Sequence, residues 1–366
     1  MNDYDLAIVT PKYPPDTGGA ATYYRLLSAE LKESEAVRSL SVLTTVHPSR
    51  PFRETNGNRT VYRILPRTSS RGTLLRPFSF LLKQLILLMA LTWYCFTYQE
   101  TVVQIHSTVT FVGRLGYNLP LDWGFRVLRA VTRCRFVLDV RDMSTIPPSA
   151  PGFAAVICGS RGIHERCRRK SNIALNRLVE IPVPVDIDGI RTYDRNERLA
   201  SSLPERYLAF VGDISAAKGA PLLVEAISGM DSNPPVVILG NPVDKAGRQL
   251  VRSLPEGAVH LGSRPHDDAL QVIDGAEMLV LPSVSEGFPR VVLEAIVLGT
   301  PALLTVDVPE LSEADIVRIL DTRSLSTLRR AIGEEWSEPR GTYWIERHDV
   351  GRVCADTVTL HRSLLS

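Results

Sequence analysis

Short apolar runs alternate with segments of helical periodicity along most of the chain. Runs such as residues 6–10 and 278–281 are bounded by Pro, Gly or Ser and are typical of buried parallel strands. The segments after them, such as 23–31 and 290–298, place an apolar residue every three or four positions and predict amphipathic helices. Because strands and helices alternate in both halves, we predict an α/β fold with two doubly wound domains.

Two carboxylates stand on one predicted strand–loop–helix junction, residues 278–301. The strand ends before a turn that holds Glu286, and the helix after it carries Glu294 two turns later. Such a junction places a ligand at the carboxyl end of the strand, where helix N–H groups point at anions. Two carboxylates at this point can hold sugar hydroxyls. The alternative is that Glu286 only favours the helix N-terminus and that Glu294 is a solvated surface charge.

Glycines and a lysine occupy two similar junctions. Gly18 and Gly19 separate the first strand from its helix, and paired glycines let backbone N–H groups approach a phosphate or sugar closely. They lack the G-x-G-x-x-G spacing, so a nicotinamide cofactor is not supported, and an ordinary turn is the alternative. In the C-terminal half, Lys218 precedes Gly219 at a helix N-terminus, where a cation can reach a diphosphate; a surface lysine is the alternative.

Charged side chains stand at the ends of two strands in the N-terminal half. His106 ends one predicted strand, and Arg141 and Asp142 end the next. In an open α/β sheet these ends face the ligand, so Asp142 would accept a proton or bond an acceptor hydroxyl. The alternatives are a half-buried histidine that bonds a backbone carbonyl, and an Arg–Asp pair that only anchors its loop.

Composition and charge narrow the class of protein. The chain has 366 residues, enough for two domains, and its net charge of +2 does not indicate a nucleic-acid partner. Its five cysteines are scattered without C-x-x-C spacing, so we expect neither a zinc site nor a disulfide framework, and we expect a reducing cytoplasm. The acidic start, residues 1–5, runs directly into a strand and does not resemble a signal peptide.

A basic segment precedes a mostly apolar stretch, residues 78–98. Within that stretch, Lys83 and Gln84 leave only residues 85–98 uninterrupted, which is short for a membrane span. A peripheral membrane contact, a plain core helix and a true span are the three alternatives. The basic segment, interrupted only by Glu54, consists of Arg50, Arg53, Arg59, Arg63, Arg67, Arg71, Arg76 and Lys83.

The run Ser-Glu286-Gly-Phe-Pro-x-Val-x-Leu-Glu294-Ala-x-x-x-Gly-x-Pro resembles the signature of retaining family-4 glycosyltransferases. The resemblance implies the fold called GT-B, in which two Rossmann-like domains face each other across a cleft. On this basis we expect an N-terminal acceptor domain at 1–185 and a C-terminal nucleotide-sugar donor domain at 186–342. A C-terminal helix at 343–366 would cross back onto the N-terminal domain.

The same resemblance implies a reaction and roles for residues. A sugar would pass from a nucleotide-diphosphate sugar to a hydroxyl acceptor with retention of configuration, without a cofactor or metal ion. Glu286 would hold the donor sugar, Glu294 the ribose, and Lys218 the departing diphosphate. The implied donor-binding residues are Gly18, Gly19, Lys218, Gly287, Phe288, Pro289, Arg290, Val291 and Glu294. The implied catalytic residues are Glu286, His106 and Asp142, with Arg141 on the acceptor side.

The chain departs from the family pattern at Asp213, where the family has an arginine that binds the donor diphosphate. Loss of that cation leaves the diphosphate to Lys218 and backbone N–H groups, and Arg290 is a candidate to compensate. The pair Asp186 and Asp188 has a spacing that invites a metal site. We instead interpret it as part of a linker strand at residues 179–188, since the resemblance implies chemistry that needs no metal.

Two rival functions stay open. The same fold serves a non-hydrolysing nucleotide-sugar epimerase, and a non-catalytic partner subunit would be consistent with Asp213. For the transferase, the basic segment and the apolar stretch suggest a lipid-linked saccharide or another glycan at a membrane surface as acceptor. We therefore expect the protein in the cytoplasm, and peripheral contact of residues 50–98 with the cytoplasmic face of a membrane stays open.

Overall fold

The structure is a computed structural model that describes residues 3–16, 18–66, 76–98, 101–110, 119–230, 234–306, 308–334 and 343–366. The chain forms two compact units. Unit 1 comprises Met1–Pro184 and Val350–Ser366, and unit 2 comprises Val185–Asp349. Residues Arg67 and Arg71 of the basic segment lie outside the described residues.

Unit 1 is built on an eight-stranded sheet with the order β3-β4-β2-β1-β5-β6-β7-β8. Its neighbouring strands are parallel, except that β3 pairs with β4 in antiparallel fashion. The central strands are apolar because helices cover both faces of a parallel sheet. The strands are β1 (Tyr4–Val9), β2 (Val37–Thr45), β3 (Arg53–Asn56), β4 (Arg59–Leu65), β5 (Thr101–His106), β6 (Arg135–Val140), β7 (Ala155–Cys158) and β8 (Leu178–Glu180).

Helices pack on both faces of this sheet. They are α1 (Gly19–Glu33), α2 (Arg76–Thr97), α3 (Ser107–Thr110), α4 (Leu119–Val131) and α5 (Arg161–Lys170). One core includes Leu87 of α2, Phe125 of α4 and Ile163 of α5. The other core includes Leu27 of α1 and Val353. The predicted apolar helix is therefore α2, which buries one side in the first core. Among the described residues, no helix combines the length and the hydropathy needed to cross a bilayer.

Unit 2 carries a second parallel sheet with the order β11-β10-β9-β12-β13-β14. Its strands are β9 (Leu208–Val211), β10 (Val236–Leu239), β11 (Ala258–Gly262), β12 (Met278–Leu281), β13 (Ala302–Leu304) and β14 (Val317–Ile319). Its helices are α6 (Ile187–Arg191), α7 (Glu197–Ala200), α8 (Ala220–Ile227), α9 (Lys245–Arg252), α10 (His266–Asp274), α11 (Arg290–Leu298) and α12 (Leu325–Gly333). The predicted bounds of β12 and α11 are confirmed.

The last helix, α13 (Val350–Leu365), belongs to unit 1. Its buried residues Val353, Cys354 and Val358 join the core that contains α1. Near its end, His361 is fully buried and its Nδ1 lies 2.9 Å from the hydroxyl of Tyr4 in β1.

The prediction of one linker strand at 179–188 is wrong. Leu178–Glu180 is instead the edge strand β8 of unit 1, and Asp186 is the N-cap of the short helix α6, where its side chain accepts the Gly189 N–H. Pro182 and Pro184 lack the N–H that a continuous strand would donate, so pairing stops before them. The carboxylate of Asp186 thus caps a helix.

Strand β3 was not among the predicted elements because its four residues are all polar and exposed. It exists because Gly57, with φ +61°, turns the chain back into β4. The two-residue loop Gly57-Asn58 is a recognised hairpin signal, and it could have revealed this strand from the sequence.

Candidate active site

The strand order of unit 2 reverses between β9 and β12, and the loops that leave these two strands carry the predicted donor residues. One branch of the sheet runs outward from β9 and the other from β12. The crevice at the carboxyl ends of such a pair is the usual ligand position of an open α/β sheet. Lys218 follows β9 and Glu286 follows β12, so the fold brings together two residues far apart in the sequence.

Lys218 and Glu286 form an ion pair at this point. The Nζ of Lys218 donates to both carboxylate oxygens, at 2.7 and 2.8 Å. The Ser283 hydroxyl donates to Oε1 of Glu286 at 2.6 Å. Glu286 is buried, whereas 36% of the Lys218 side chain is exposed, so an incoming anion can reach the ammonium group.

Gly219 lets the two loops approach each other. Its φ is +83°, and a Cβ at this position would lie 2.1 Å from the carbonyl oxygen of Pro282. A backbone bond from Val284 N–H to the Ala217 carbonyl, at 2.8 Å, joins the same loops. Only glycine combines this left-handed backbone with so close a contact, and the Lys218–Glu286 geometry depends on it.

Arg323 donates a hydrogen bond to a backbone carbonyl of each of the two loops. Its Nε donates to the Pro282 carbonyl at 2.7 Å, and its Nη2 donates to the Ala216 carbonyl at 2.9 Å. Arg323 was not predicted as a site residue, because it stands after β14 in no recognisable motif. Only its tertiary position shows that it supports the site.

Two helices begin at this site without a side-chain cap. The N-cap residues are Gly219 for α8 and Pro289 for α11, and neither side chain accepts a helix N–H. In contrast, Ser160, Asp244 and Ser324 cap α5, α9 and α12 through their side chains. Uncapped N–H groups and the positive end of the helix dipole favour an anion at these two termini.

The second carboxylate, Glu294, lies on α11 and is also buried. Its Oε1 is 3.3 Å from Nη2 of Arg290 and 3.8 Å from Nε2 of His266. Arg290 therefore contacts Glu294, and its predicted role as a substitute cation for the diphosphate stays a prediction. Asp213 is exposed in the loop after β9.

The remaining predicted donor-binding residues lie at the start of α11. Gly287 and Phe288 precede the N-cap Pro289, and Val291 is in the first turn. The Phe288 ring is buried and packs against the ring of His348, with 4.9 Å between centroids. This contact fixes the loop from which backbone N–H groups would meet the donor.

In unit 1 the strand order reverses between β1 and β5. The predicted residues Gly18 and Gly19 follow β1, and the predicted His106 is the last residue of β5. Gly18, with φ +112°, is the N-cap of α1 and gives it no side-chain cap, so α1 resembles α8 and α11 in this respect. The switch point of unit 1 thus offers a helix N-terminus and an imidazole.

His106 is buried and uncharged at neutral pH. Burial lowers the pKa of its ring to about 4. The Thr108 N–H donates to Nδ1 at 3.2 Å, so the neutral ring carries its proton on Nε2. The ring also packs edge-on against Tyr24, with 5.7 Å between centroids. A neutral imidazole of this kind can donate a hydrogen bond to a sugar oxygen without adding charge.

Arg141 points into unit 1 and binds the fully buried Asp139, which was not predicted. Its Nε donates to Oδ1 of Asp139 at 2.5 Å, and other guanidinium N–H groups donate to the Ile181 carbonyl and the Tyr23 hydroxyl. Asp139 also accepts bonds from Tyr24 and Gln104, at 2.9 and 2.7 Å. These contacts favour the anchoring interpretation for Arg141, and its acceptor-side role stays a prediction.

Asp142 points the other way and is exposed. Its Oδ1 accepts the Ser144 N–H at 2.7 Å and caps the short 3₁₀ turn that follows. Its catalytic role stays a prediction. Across the part of the chain that the structure describes, no group of three or more His, Cys, Asp or Glu residues is placed to hold a metal ion.

Residues 194–314 match the family described as glycosyl transferases group 1. This part of the chain is a group 1 glycosyltransferase domain. It contains Lys218, Glu286 and Glu294, so the domain match and the site geometry coincide. The predicted resemblance to glycosyltransferases is thereby confirmed at the level of group 1.

The chain is also similar in sequence to curated glycosyltransferases. The chain is 32% identical over 162 residues to a protein named as a teichuronic acid biosynthesis glycosyltransferase, TuaC, of Bacillus subtilis, covering 43% of this chain and 40% of that one. The chain spans 40% to 42% of the length of the first curated relatives that it matches.

Solved structures resemble the chain over its whole length. Sucrose-phosphate synthase from Thermosynechococcus elongatus superposes with a TM-score of 0.76 at 17% identity, covering 99% of both chains. HepE of Anabaena, solved in complex with UDP and glucose, superposes with a TM-score of 0.68 at 13% identity, covering 98% of this chain and 100% of that one. At such identities the likeness shows the fold, and the prediction of a GT-B α/β fold with two Rossmann-like domains is confirmed.

Proposed function

We propose that this protein is a retaining family-4 glycosyltransferase that moves a sugar from a nucleotide-diphosphate sugar to a hydroxyl acceptor without a metal ion. The observation that carries the proposal is the Lys218–Glu286 pair at the switch point of unit 2, inside the group 1 domain. A cation reachable from solvent and a buried carboxylate stand there beside two uncapped helix N-termini. This set suits a ligand that carries both phosphates and hydroxyls.

The donor would use each part of this set. Diphosphate oxygens accept hydrogen bonds from Lys218 and from N–H groups at the starts of α8 and α11. Glu286 accepts hydrogen bonds from hydroxyls of the donor sugar, and Glu294 accepts them from the ribose. The HepE structure, in complex with UDP and glucose, supports a donor of this chemical class in the same fold.

The reaction breaks the bond between the anomeric carbon and the diphosphate oxygen. The acceptor oxygen forms the new bond on the same face of the sugar, and a phosphate oxygen takes the acceptor proton. Lys218 and the two helix N-termini stabilise the negative charge that develops on the diphosphate. These groups supply the positive charge that a metal ion would otherwise provide, and His106 and Asp142 are our candidates to orient the acceptor.

The proposed acceptor is a lipid-linked saccharide or another glycan at the cytoplasmic face of a membrane. The outward side of α2 exposes large apolar side chains, among them Leu85, Trp93 and Phe96, and α4 adds Trp123. An apolar strip of this size on a protein surface is typical of a contact with a membrane or a partner. Flotation with anionic liposomes tests the contact, and Trp93→Glu with Phe96→Glu should abolish it.

A screen of nucleotide sugars tests the function. Incubation with each donor and a hydroxyl acceptor should release the nucleoside diphosphate, and NMR of the product should show an unchanged anomeric configuration. EDTA should not lower the turnover. Binding without release would instead indicate a non-catalytic subunit, for which Asp213 is the one feature in favour. Conversion of a donor to its epimer would indicate an epimerase.

Glu286→Gln is the decisive variant in this assay. It preserves the shape of the side chain but removes the charge that pairs with Lys218, so turnover should fall by about 100-fold. Glu225→Gln, at an exposed position of α8, is the matched control and should keep full turnover. Equal turnover of Glu286→Gln and the wild type would refute the role of Glu286.

A further inference from the structure

A cavity of about 770 Å³ lies in unit 1, between α2 and the outer strands of the sheet. Its volume is in the usual range of small-molecule sites. The wall is mainly aromatic and aliphatic, and Phe52, Trp93 and Val46 leave much of their surface exposed to solvent. Besides these three residues, the lining includes Tyr62, Ile86, Ala90, Tyr94 and Tyr98.

The cavity follows α2 along the sheet. The Gln84 side chain donates to the Val109 carbonyl, just after the carboxyl end of β5, at 3.1 Å. The Tyr94 hydroxyl donates to the Leu6 carbonyl, near the start of β1, at 3.1 Å. The helix is therefore antiparallel to the strands, and its N-terminal half lies at the carboxyl edge, where ligands of α/β sheets bind.

The two arginines of the lining lie away from its carboxyl-edge end. The Cζ of Arg53 is 5.8 Å from the centre of the Tyr62 ring, which packs against Trp93 in the C-terminal half of α2. Arg63 is buried and follows Tyr62 in β4, so its side chain lies on the opposite face of the sheet. There it donates to Glu54 at 3.0 Å and to the Pro14 carbonyl at 2.9 Å.

Lys83 adds a second buried cation. It precedes Ile86 and Ala90 by three and seven positions, so it continues the cavity-lining stripe of α2 by one turn toward the carboxyl edge. Only 6% of its surface is exposed, and within the described residues it has no hydrogen bond or ion pair. Burial lowers the pKa of its ammonium group, as expected for a cation without a partner anion.

We propose that this cavity holds the hydrocarbon chain of a lipid-linked acceptor whose phosphate is bound by Lys83. An apolar, aromatic cavity with a buried lysine beyond one end matches a long single chain that ends in a phosphate. Gln84, next to Lys83, bonds the Val109 carbonyl just after β5, so the saccharide beyond the phosphate would emerge at the carboxyl edge. The inference rests on the proposed function, since it takes the bound amphiphile to be the sugar acceptor.

Dodecyl phosphate, kept below its micelle concentration, is the probe for this site. Titration of the full chain should show one bound molecule and a change in tryptophan fluorescence, because Trp93 lines the cavity. From octyl to dodecyl phosphate, the affinity should rise by up to about fourfold per methylene until the cavity is filled. Inorganic phosphate and dodecyltrimethylammonium should both bind at least tenfold more weakly.

Two variants separate binding of the hydrocarbon chain from binding of the phosphate. Ala90→Phe places a ring in the cavity and should weaken binding of dodecyl phosphate at least tenfold. Ala355→Phe, at an exposed position of α13, should leave that binding unchanged. Lys83→Met should weaken binding of dodecyl phosphate about tenfold and yet raise the melting temperature, because it removes a buried charge that has no partner among the described residues. A lysine with a purely structural role would not show this combination.

Some results would overturn the inference. Equal binding of dodecyl phosphate by Ala90→Phe and the wild type would do so, as would equal affinity for inorganic and dodecyl phosphate. Flotation of wild type and Ala90→Phe with anionic vesicles, without binding of dodecyl phosphate by either protein, would show that the surface contacts a bilayer and that the cavity does not hold a hydrocarbon chain. Donor turnover is measured separately: probe binding without release of nucleoside diphosphate from any donor contradicts the proposed function and leaves the cavity site standing.

Discussion

The ammonium group of Lys218 bonds one side chain in the structure and would bond the donor as well in the proposed reaction. In the structure its ammonium group bonds both oxygens of Glu286. In the reaction it also bonds the donor diphosphate. Because Asp213 stands where the family resemblance implies an arginine, Lys218 is the cation on which diphosphate binding depends in our proposal.

Lys218→Ala should therefore weaken binding of a nucleoside diphosphate by roughly 10- to 100-fold, the loss expected for one hydrogen bond between charged groups. Calorimetric titration measures the change. Lys245→Ala, at an exposed position of α9, is the matched control. If both variants bind the diphosphate like the wild type, Lys218 is not a donor ligand.

His106 makes stability depend on pH. Burial lowers its pKa to about 4, so between that value and its ordinary pKa the unfolded chain binds a proton that the folded chain does not. Stability is therefore complete above the ordinary pKa and falls by about 2 kcal/mol as the pH drops to 4.5. His361, with its pKa lowered to about 3 by burial, acts in the same direction.

His106→Gln should remove the His106 part of this loss, so that the variant loses less stability than the wild type between pH 7 and pH 4.5. Urea unfolding at the two pH values measures it, with His47→Gln as a variant in an exposed loop. Equal pH dependence in wild type and His106→Gln would show that the folded state does not suppress protonation of His106.

Among the elements, the β9–α8 loop and the β12–α11 loop act together. Gly219 allows the contact, and Arg323 bonds a carbonyl of each loop. The sequence predicted β12, its loop and α11 correctly, because strand end, helix start and the Gly299 helix end are all encoded locally. It did not reveal the contact between the loops, because the sequence pattern of one loop carries no information about the position of the other.

Gly219→Ala and Gly299→Ala separate backbone conformation from contact. Both glycines have a left-handed backbone, with φ +83° and +80°, but only Gly219 has a neighbouring atom in the space of a Cβ. Gly299→Ala should cost about 1 kcal/mol. Gly219→Ala should cost at least about 3 kcal/mol and also weaken binding of a nucleoside diphosphate, as measured by thermal unfolding and titration. Equal effects of the two would contradict the loop contact.

At the scale of the whole molecule, the chain returns to unit 1 through α13. That helix buries Val353, Cys354 and Val358 in the core beside α1, and its His361 contacts Tyr4 of β1. Unit 1 is therefore assembled from both ends of the sequence, with unit 2 inserted between them.

Deletion of Val350–Ser366 should destabilise unit 1 selectively, since it uncovers apolar surface on α1 and leaves the core of unit 2 intact. Hydrogen exchange should become faster in β1 and α1 and stay unchanged in β10. Removal of Ser366 alone is the control. Uniform acceleration in both units, or none, would contradict this assignment of α13.

The sequence by itself determined the alternation of strands and helices, the glutamates around α11 and the glycines at the switch points. These features depend on periodicity and on caps, which act within a few residues. Only the tertiary structure decided that Arg141 turns inward to Asp139, that Arg323 joins two loops, and that Lys83 is buried beside an apolar cavity. Each of these depends on a partner or a covering element distant in the chain, and burial sets whether a charge is solvated or must find an anion.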